Sequence, residues 1–299
     1  YYCCTKEQAV RAMLPAAVRS GRVSHRRQTF VRLAENIHVV DILPDLQKKA
    51  PKQADVLRDL VRQDGQCLLS RLLAETNVSR SVVRGLAEKA YVLLEEKTVA
   101  RDPFADDEVL PTRHLALTDE QQAALDVIID GMKADAPGTV LIHGVTGSGK
   151  TEVYLQAIDY CLKQGKRAIV LVPEISLTPQ TTERFRSRFG NQNISVMHSG
   201  LGDGERLDEW RKMHDGRCDI VIGARSALFA PFDNVGLIVV DEEHETTYKQ
   251  EEAPRYNARD VAVVRGRREN ATVVLGSATP SLESYYNCVQ GKYTLVRLK

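Results

Sequence analysis

The sequence predicts an α/β protein in two parts: a parallel sheet with helices on both faces, preceded by a small helix-rich unit. Three observations carry that prediction. Residues 144–151 read Gly-Val-Thr-Gly-Ser-Gly-Lys-Thr and fit the phosphate-loop pattern G-x-x-x-x-G-K-[S/T] at each fixed position. From residue 117 onward, apolar β-branched runs alternate with helical stretches, which demands crossover connections and a sheet covered on both sides. Between residues 50 and 105, three amphipathic helical stretches precede two short β-rich runs, the layout of a winged helix-turn-helix.

The chain has 299 residues, enough for two or three domains with proper cores. A net charge of +1 excludes a polycation, yet from Lys6 to Arg32 there are seven Lys or Arg residues against Glu7 alone. No apolar run reaches the length of a membrane span and no secretory signal is visible, so no membrane partner and a cytoplasmic location are expected. The chain starts at Tyr1 and ends at Lys299, and is expected to be a fragment of something larger. The six cysteines (Cys3, Cys4, Cys67, Cys161, Cys218 and Cys288) make no C-x-x-C pair, and read as buried reduced thiols rather than a zinc site. The string from Glu243 and His244 to Tyr248 begins like a zinc-protease helix but lacks the second His, which rejects that reading.

In chain order, residues 5–20 predict a short helix with Thr5 and Gln8 spaced as a capping box and Gly21 at its end, with Pro15 weighing against it. Phe30 to Leu33 and Ile37 to Leu43 read as strands. Residues 1–45 are too short for a domain and read as the end of one. Pro51 opens a helix with Val56, Leu57, Leu60 and Val61 inward and Gly65 as its stop. Leu68, Leu69, Leu72 and Leu73 mark a second helix; Ser79 caps a third, with Val82, Val83 and Leu86 inward. Two strands, 91–94 and 98–101, would form the wing around Glu95-Glu96-Lys97 and complete a unit over 46–105. Arg80, Arg84 and Lys89 lie outward, a basic face that suits DNA or a protein partner equally. The acidic, proline-broken stretch that follows makes 106–116 a linker. The sheet domain, 117–299, is expected to hold strands at 139–143, 168–172, 194–197, 219–223, 236–241 and 272–276. Its helices are expected to include 119–133, 151–164, 178–188, 204–215 and 281–290.

In such sheets ligands sit beyond the carboxyl ends of the strands. There Gly144, Val145, Thr146, Gly147, Ser148 and Gly149 would turn backbone N–H groups toward phosphate. Lys150 would reach the β- and γ-phosphates, and the Thr151 hydroxyl would ligate Mg²⁺. The apolar run 236–240 ends in Asp241 and Glu242. The first would bind Mg²⁺, and the second, outside the metal's ligand shell, would act as base toward water. Ser277 and Thr279 end another strand, as a hydroxyl relay to the acidic cluster or as an ordinary polar turn. Gln121 has the donor and acceptor that adenine readout requires, and equally suits helix capping with Thr118.

Taken together, residues 144–151, Asp241-Glu242-Glu243-His244 and Ser277-Ala278-Thr279 resemble motifs I, II and III of superfamily 2 helicases. Longer strings at 144–154, 172–180, 223–227 and 248–251 resemble the bacterial primosomal replication-restart helicases, strongly over 115–299 and in layout only over 1–110. The resemblance implies a RecA-like first helicase lobe behind a winged helix and the end of a 3′-end DNA-binding domain. It implies an ATP-driven enzyme moving 3′ to 5′ on DNA, with Mg²⁺ as cofactor. Forked and single-stranded DNA, primosome proteins and single-strand-binding protein are the implied partners. Gln121 matches the adenine reader. Lys150, Thr151, Asp241 and Glu242 match the phosphate, metal and water residues. Thr178, Gln180, Gly223, Arg225 and Ser226 match segments facing the single-strand backbone. Residues 246–260 match an aromatic-rich loop that links DNA contact to hydrolysis, in which Tyr248 and Tyr256 with Lys249 and Arg255 offer stacking and charge. The family's second lobe and its cysteine-rich zinc element are not in this sequence, so zinc is expected only in the rest of the full-length protein. This stretch alone is expected to hydrolyse and unwind poorly. Two alternatives stay open: another superfamily 2 translocase, against which 173–180 and 248–251 speak, and a nucleotide-gated DNA-binding or assembly module without turnover.

Overall fold

A computed structural model describes residues 4–20, 26–35, 37–99 and 110–299. Gly21 and most of the proline-broken stretch lie outside the described residues. Contacts divide the chain into two compact units, Ser24–Arg101 and a larger one formed by Tyr1–Val23 with Asp102–Lys299. The N-terminal helices α1 (Lys6–Met13) and α2 (Ala16–Ser20) belong to the larger unit. Thr5 and Gln8 do form the capping box of α1. Pro15 breaks the expected single helix in two, since it has no N–H to continue the ladder.

The smaller unit runs β1 (Arg26–Leu33), α3 (Val39–Lys49), α4 (Pro51–Arg62), β2 (Gln66–Leu68), α5 (Leu69–Thr76), α6 (Arg80–Glu88) and β3 (Val92–Val99). Its core packs Val31 of β1 against Leu57 and Leu60, Leu72, and Val83 and Leu86 from the helices. Three expectations change here. Ile37 to Leu43 reads as a strand by its branched residues, but Val39 and Leu46, seven apart, are the buried positions of a helix. No wing hairpin folds at Glu95-Glu96-Lys97: β3 continues through them, paired antiparallel with all eight residues of β1 from Arg26↔Val99 to Leu33↔Val92. Val61, expected inward, is exposed. The expected boundary at 45/46 therefore runs through α3 and would part β1 from its sheet partners.

The larger unit continues with α7 (Asp119–Lys133), β4 (Thr139–Gly144), α8 (Lys150–Lys163), β5 (Arg167–Leu171), α9 (Pro179–Phe189), β6 (Ile194–Met197), α10 (Asp203–His214), β7 (Ile220–Gly223), β8 (Val235–Val240), α11 (Ala258–Glu269), β9 (Thr272–Ser277), α12 (Leu282–Val289) and β10 (Tyr293–Leu298). Its strands form one parallel sheet in the order β10-β4-β9-β8-β5-β7-β6. Successive strand residues face opposite sides. Leu237 and Val239 join the core under α7, α8 and α9, while Ile238 and Val240 join the one under α10 and α11. The doubly covered parallel sheet is the one the sequence predicts, with α11 and β10 in addition. Only the first three residues of α11 fall in the stretch 246–260 expected as a loop; Asn257 caps its start and Asn270, in the left-handed region, ends it. No helix among the described residues is long and apolar enough to cross a membrane.

Candidate functional site

The loop after β4 turns through Gly147 and Gly149, both left-handed with φ of 84° and 83°. A Cβ on Gly149 would run into the side-chain amide of Gln121, so close approach as well as φ demands glycine. Of the two roles its sequence left open, Gln121 takes the capping one here and adds a bond to the phosphate loop. It completes the capping box of α7 with Thr118, and its Nε2 donates to the Ser148 carbonyl at 2.9 Å. Lys150 Nζ donates to the carbonyls of Gly144 (2.7 Å) and Val145 (3.2 Å), which holds its charge inside the loop. The Ser148 hydroxyl is buried and has no partner among the described residues.

β8 delivers the acidic pair to the same place. The Asp241 N–H donates to Leu171 of neighbouring β5 at 2.9 Å, and Tyr154 of α8 donates its hydroxyl to Asp241 Oδ1 at 3.2 Å. Burial, with Glu242 adjoining, pushes the Asp241 carboxyl up to about 6; a divalent cation alongside would favour its ionised form. Glu242 has φ of 46°, an uncommon conformation for a non-glycine residue, at the position expected to face water. Gly147, Lys150, Thr151, Asp241 and Glu242 line one cleft of about 610 Å³. The two halves inferred from separate strings thus meet.

Beside them, Ser277 Oγ is 2.7 Å from His244 Nδ1 and accepts from the Thr279 N–H at 2.9 Å. Ser277 makes the side-chain link; Thr279 joins it through its backbone. The residue that sequence reasoning missed is Glu243. Its side chain is fully buried and accepts from Ser281 N (2.7 Å), Ser281 Oγ (2.9 Å), Ser284 Oγ (2.9 Å) and Arg259 Nη1 (3.2 Å). One carboxylate therefore ties the acidic string to the start of α12 and to α11. Its neighbours in an acidic run hid it, because nothing in the sequence says which carboxylate turns inward. Also missed is Glu152, next to Thr151. Burial would raise its carboxyl, but hydrogen bonds from Arg188, Gln156 and the Leu115 N–H outweigh that and hold it low. The Arg188 pair, at 3.0 Å, joins α8 to α9 behind the loop.

A second cleft, of about 840 Å³, is lined by Arg225, Ser226, Tyr248, Lys249 and Tyr256 among others. Arg225 Nη1 donates to the carbonyls of Thr247 (3.2 Å) and Lys249 (2.9 Å), tying the strand-end turn to the loop at 246–257. Lys249 and Arg255 are exposed. The two tyrosines are not. Tyr248 is 1% exposed and donates its hydroxyl to the Asp241 carbonyl at 2.6 Å. Tyr256 is 5% exposed and meets Phe229 edge-on, centroids 5.3 Å apart. Both rings belong to the core beneath α11, so the base-stacking faces expected of them are turned inward. Thr178 caps α9 by accepting from Thr181 N at 3.2 Å, and Gln180 is exposed on its first turn; neither is among the residues lining this cleft.

Residues 118–287 match the DEAD/DEAH box helicase family. Replication restart protein PriA of Bacillus subtilis (strain 168) is 49% identical over 256 residues, 85% of this chain and 32% of that protein. Replication restart protein PriA of Chlamydia pneumoniae is 42% identical over 308 residues, 100% of this chain and 40% of that protein. The chain thus spans roughly a third to two fifths of the length of these relatives. Among solved structures, RecG bound to a three-way DNA junction aligns with TM-score 0.47 and 24% identity over 62% of this chain and 24% of that one. The matched span runs from the helix bearing Gln121 through both halves of the nucleotide cleft and through most of α12. The chain therefore belongs to the DEAD/DEAH box helicase family, as a PriA-like member of it.

Proposed function

We propose that this chain is the ATP-binding lobe of a DNA helicase that moves 3′ to 5′, remodels stalled replication forks and starts primosome assembly for replication restart. The observation that carries the reading is the single cleft shared by the phosphate loop and the Asp241–Glu242 pair. Similarity to the replication restart proteins supports the assignment to restart rather than to other translocation. Forked and single-stranded DNA are the proposed substrates, with primosome proteins and single-strand-binding protein as partners, in the cytoplasm. The unit Ser24–Arg101 would serve recognition rather than hydrolysis.

The donor set fits ATP with Mg²⁺: a glycine loop at a helix start, a buried unpartnered serine hydroxyl and a carboxyl that a cation would ionise. Thr151 and Asp241 would hold the metal, which when bound spreads the charge of the β- and γ-oxygens. Lys150 exchanges its loop carbonyls for phosphate oxygens. Gln121 positions the loop and would read the base. Glu242 orients the attacking water and takes its proton. Ser277 and Thr279 link that acidic string to the neighbouring strand end. The second cleft would carry DNA past Arg225, Ser226 and Lys249, with Thr178, Gln180 and Arg255 as proposed contacts outside its lining.

Glu242→Gln in the full-length protein tests this. Hydrolysis should fall by about 10²- to 10⁴-fold while ATP affinity is kept. Unchanged hydrolysis would remove Glu242 from the chemistry, whereas no hydrolysis in either protein would leave a nucleotide-gated binding module without turnover.

A further inference from the structure

The basic run from Lys6 to Arg32 is the strongest charge asymmetry in the sequence, and nothing in the nucleotide chemistry uses it. Its first part is α1, which packs against the turn Arg225–Phe229, while α2 packs against α10. This docking brings Arg11 and Ala12 into the lining of the second cleft, alongside Arg225, Ser226 and Lys249. Arg206, from the first turns of α10, lines it too.

The charges on the cleft are sorted by element. Its three carboxylates, Glu174, Glu251 and Glu252, come from the segment after β5 and from the 246–257 loop, which also brings the exposed Lys249. The wall made by α1, α10, the end of β6 and the turn after β7 contributes Arg11, Arg206, Arg225, His198, Ser199 and Ser226, and no carboxylate. A strand of nucleic acid has one charged edge and one edge of bases, and it would lie with its phosphates on that wall.

The two arginines are prepared differently. Arg206 Nη2 donates to the carbonyls of Ser199 (3.2 Å) and Leu201 (3.3 Å), which fixes the guanidinium at the cleft. Arg11 is exposed and pairs with Glu7 one helical turn away at 2.6 Å. Such a surface pair is worth little and gives way to a phosphate at small cost.

We propose that α1 forms one wall of a single-strand DNA track on the larger unit, and that Arg11 and Arg206 contact the DNA phosphates there. This rests on the reading of the second cleft as the DNA path.

The test is binding of fluorescent oligo-dT to this chain across a salt series, for wild type, Arg11→Ala, Arg11→Glu, Arg11→Lys and Lys249→Ala. Arg11 is exposed, so its replacements leave the fold intact. Arg11→Ala should weaken binding roughly five-fold at 0.1 M salt and reduce the salt slope by about 0.7, the single-strand value for one phosphate contact. Arg11→Glu should weaken it further, and Arg11→Lys should restore the slope. ATP affinity should not move in any of them. If Lys249→Ala weakens binding while Arg11→Ala and Arg11→Glu leave affinity and slope unchanged, α1 is not a wall of the track and the proposal falls alone. If the chain binds no oligo-dT, or if neither Lys249→Ala nor Arg11→Glu changes its binding, the DNA reading of the cleft falls first and takes the proposal with it.

Discussion

The nucleotide cleft and the second cleft of the larger unit are made in opposite ways. The nucleotide cleft is built from backbone and buried polar groups: left-handed glycines, Lys150 held on loop carbonyls, and Asp241 bonded to Tyr154. The second cleft is built from side chains on its surface, such as Arg11, Lys249 and Ser226, brought together from distant segments. A preorganised site can fix a triphosphate in one geometry, as chemistry requires. A site of exposed charged side chains suits a polyanion of any sequence, as the proposed translocation would require. The 246–257 loop joins the two, because Tyr248 roots it on the Asp241 carbonyl and Arg225 holds its far side.

The sharpest way to break this contrast is to remove the buried carboxylate that anchors the acidic string to α11 and α12. Glu243→Ala would leave Arg259 with Asp260, the Ser281 hydroxyl and the more distant Glu283, and strip Ser281 and Ser284 of their carboxylate acceptor. Removing one partner of a buried pair costs about 3–5 kcal/mol, and the remaining Asp260 contact favours the lower end. Melting should drop by roughly 10 °C, read by calorimetry on the chain. ATP and oligo-dT affinity should fall together. A loss confined to one cleft would show that they are built independently.

Gly149→Ala comes next and should act on one cleft only. A left-handed alanine costs about 1–2 kcal/mol, and the added methyl collides with the Gln121 amide. ATP affinity should fall at least about ten-fold, measured by titration calorimetry, while the salt slope of oligo-dT binding stays at the wild-type value. A parallel loss of DNA binding would mean that the loop shapes both sites.

What could be read from the sequence follows the same division. The nucleotide cleft was legible because a backbone-built site needs glycine, lysine and hydroxyl at consecutive positions, and the sheet needs apolar runs that stop at their ligands. Glu243 was not, because three adjacent carboxylates look alike until one is seen buried on Arg259. Tyr248 and Tyr256 were misjudged because aromatic residues among basic ones describe a stacking surface and a buried anchor equally well. β3 was split in two because Glu95 and Lys97 look like a turn, and only the full-length partner β1 keeps them extended. The start of α11 was not legible, because the loop expected over 246–260 runs into its first three residues and only Asn257 marks the boundary as a cap.

Tyr248→Phe separates a buried anchor from a stacking face. It keeps the ring and deletes the hydroxyl bond to the Asp241 carbonyl, so stability should fall by about 1 kcal/mol. Oligo-dT affinity should be unchanged, since the ring lies in the core. Weaker DNA binding with undiminished stability would place that hydroxyl on the track instead.

Lys249→Ala is the converse and the smallest effect. Its side chain is exposed, so stability should stay within about 0.5 kcal/mol of wild type. The Lys249 carbonyl, which Arg225 uses, survives the substitution, as does the backbone bridge to Asn257, so the loop keeps its seat. What is lost is one mobile charge on the cleft. The salt slope of oligo-dT binding should therefore fall by about 0.7 with no change in melting temperature. Tyr248→Phe moves stability without DNA affinity, and Lys249→Ala moves DNA affinity without stability. Adjacent residues with opposite signatures are what a loop rooted in the nucleotide site and exposed to the polymer must show. If Lys249→Ala instead lowers melting and leaves the slope alone, the second cleft is as rigid as the first and the contrast between them is wrong.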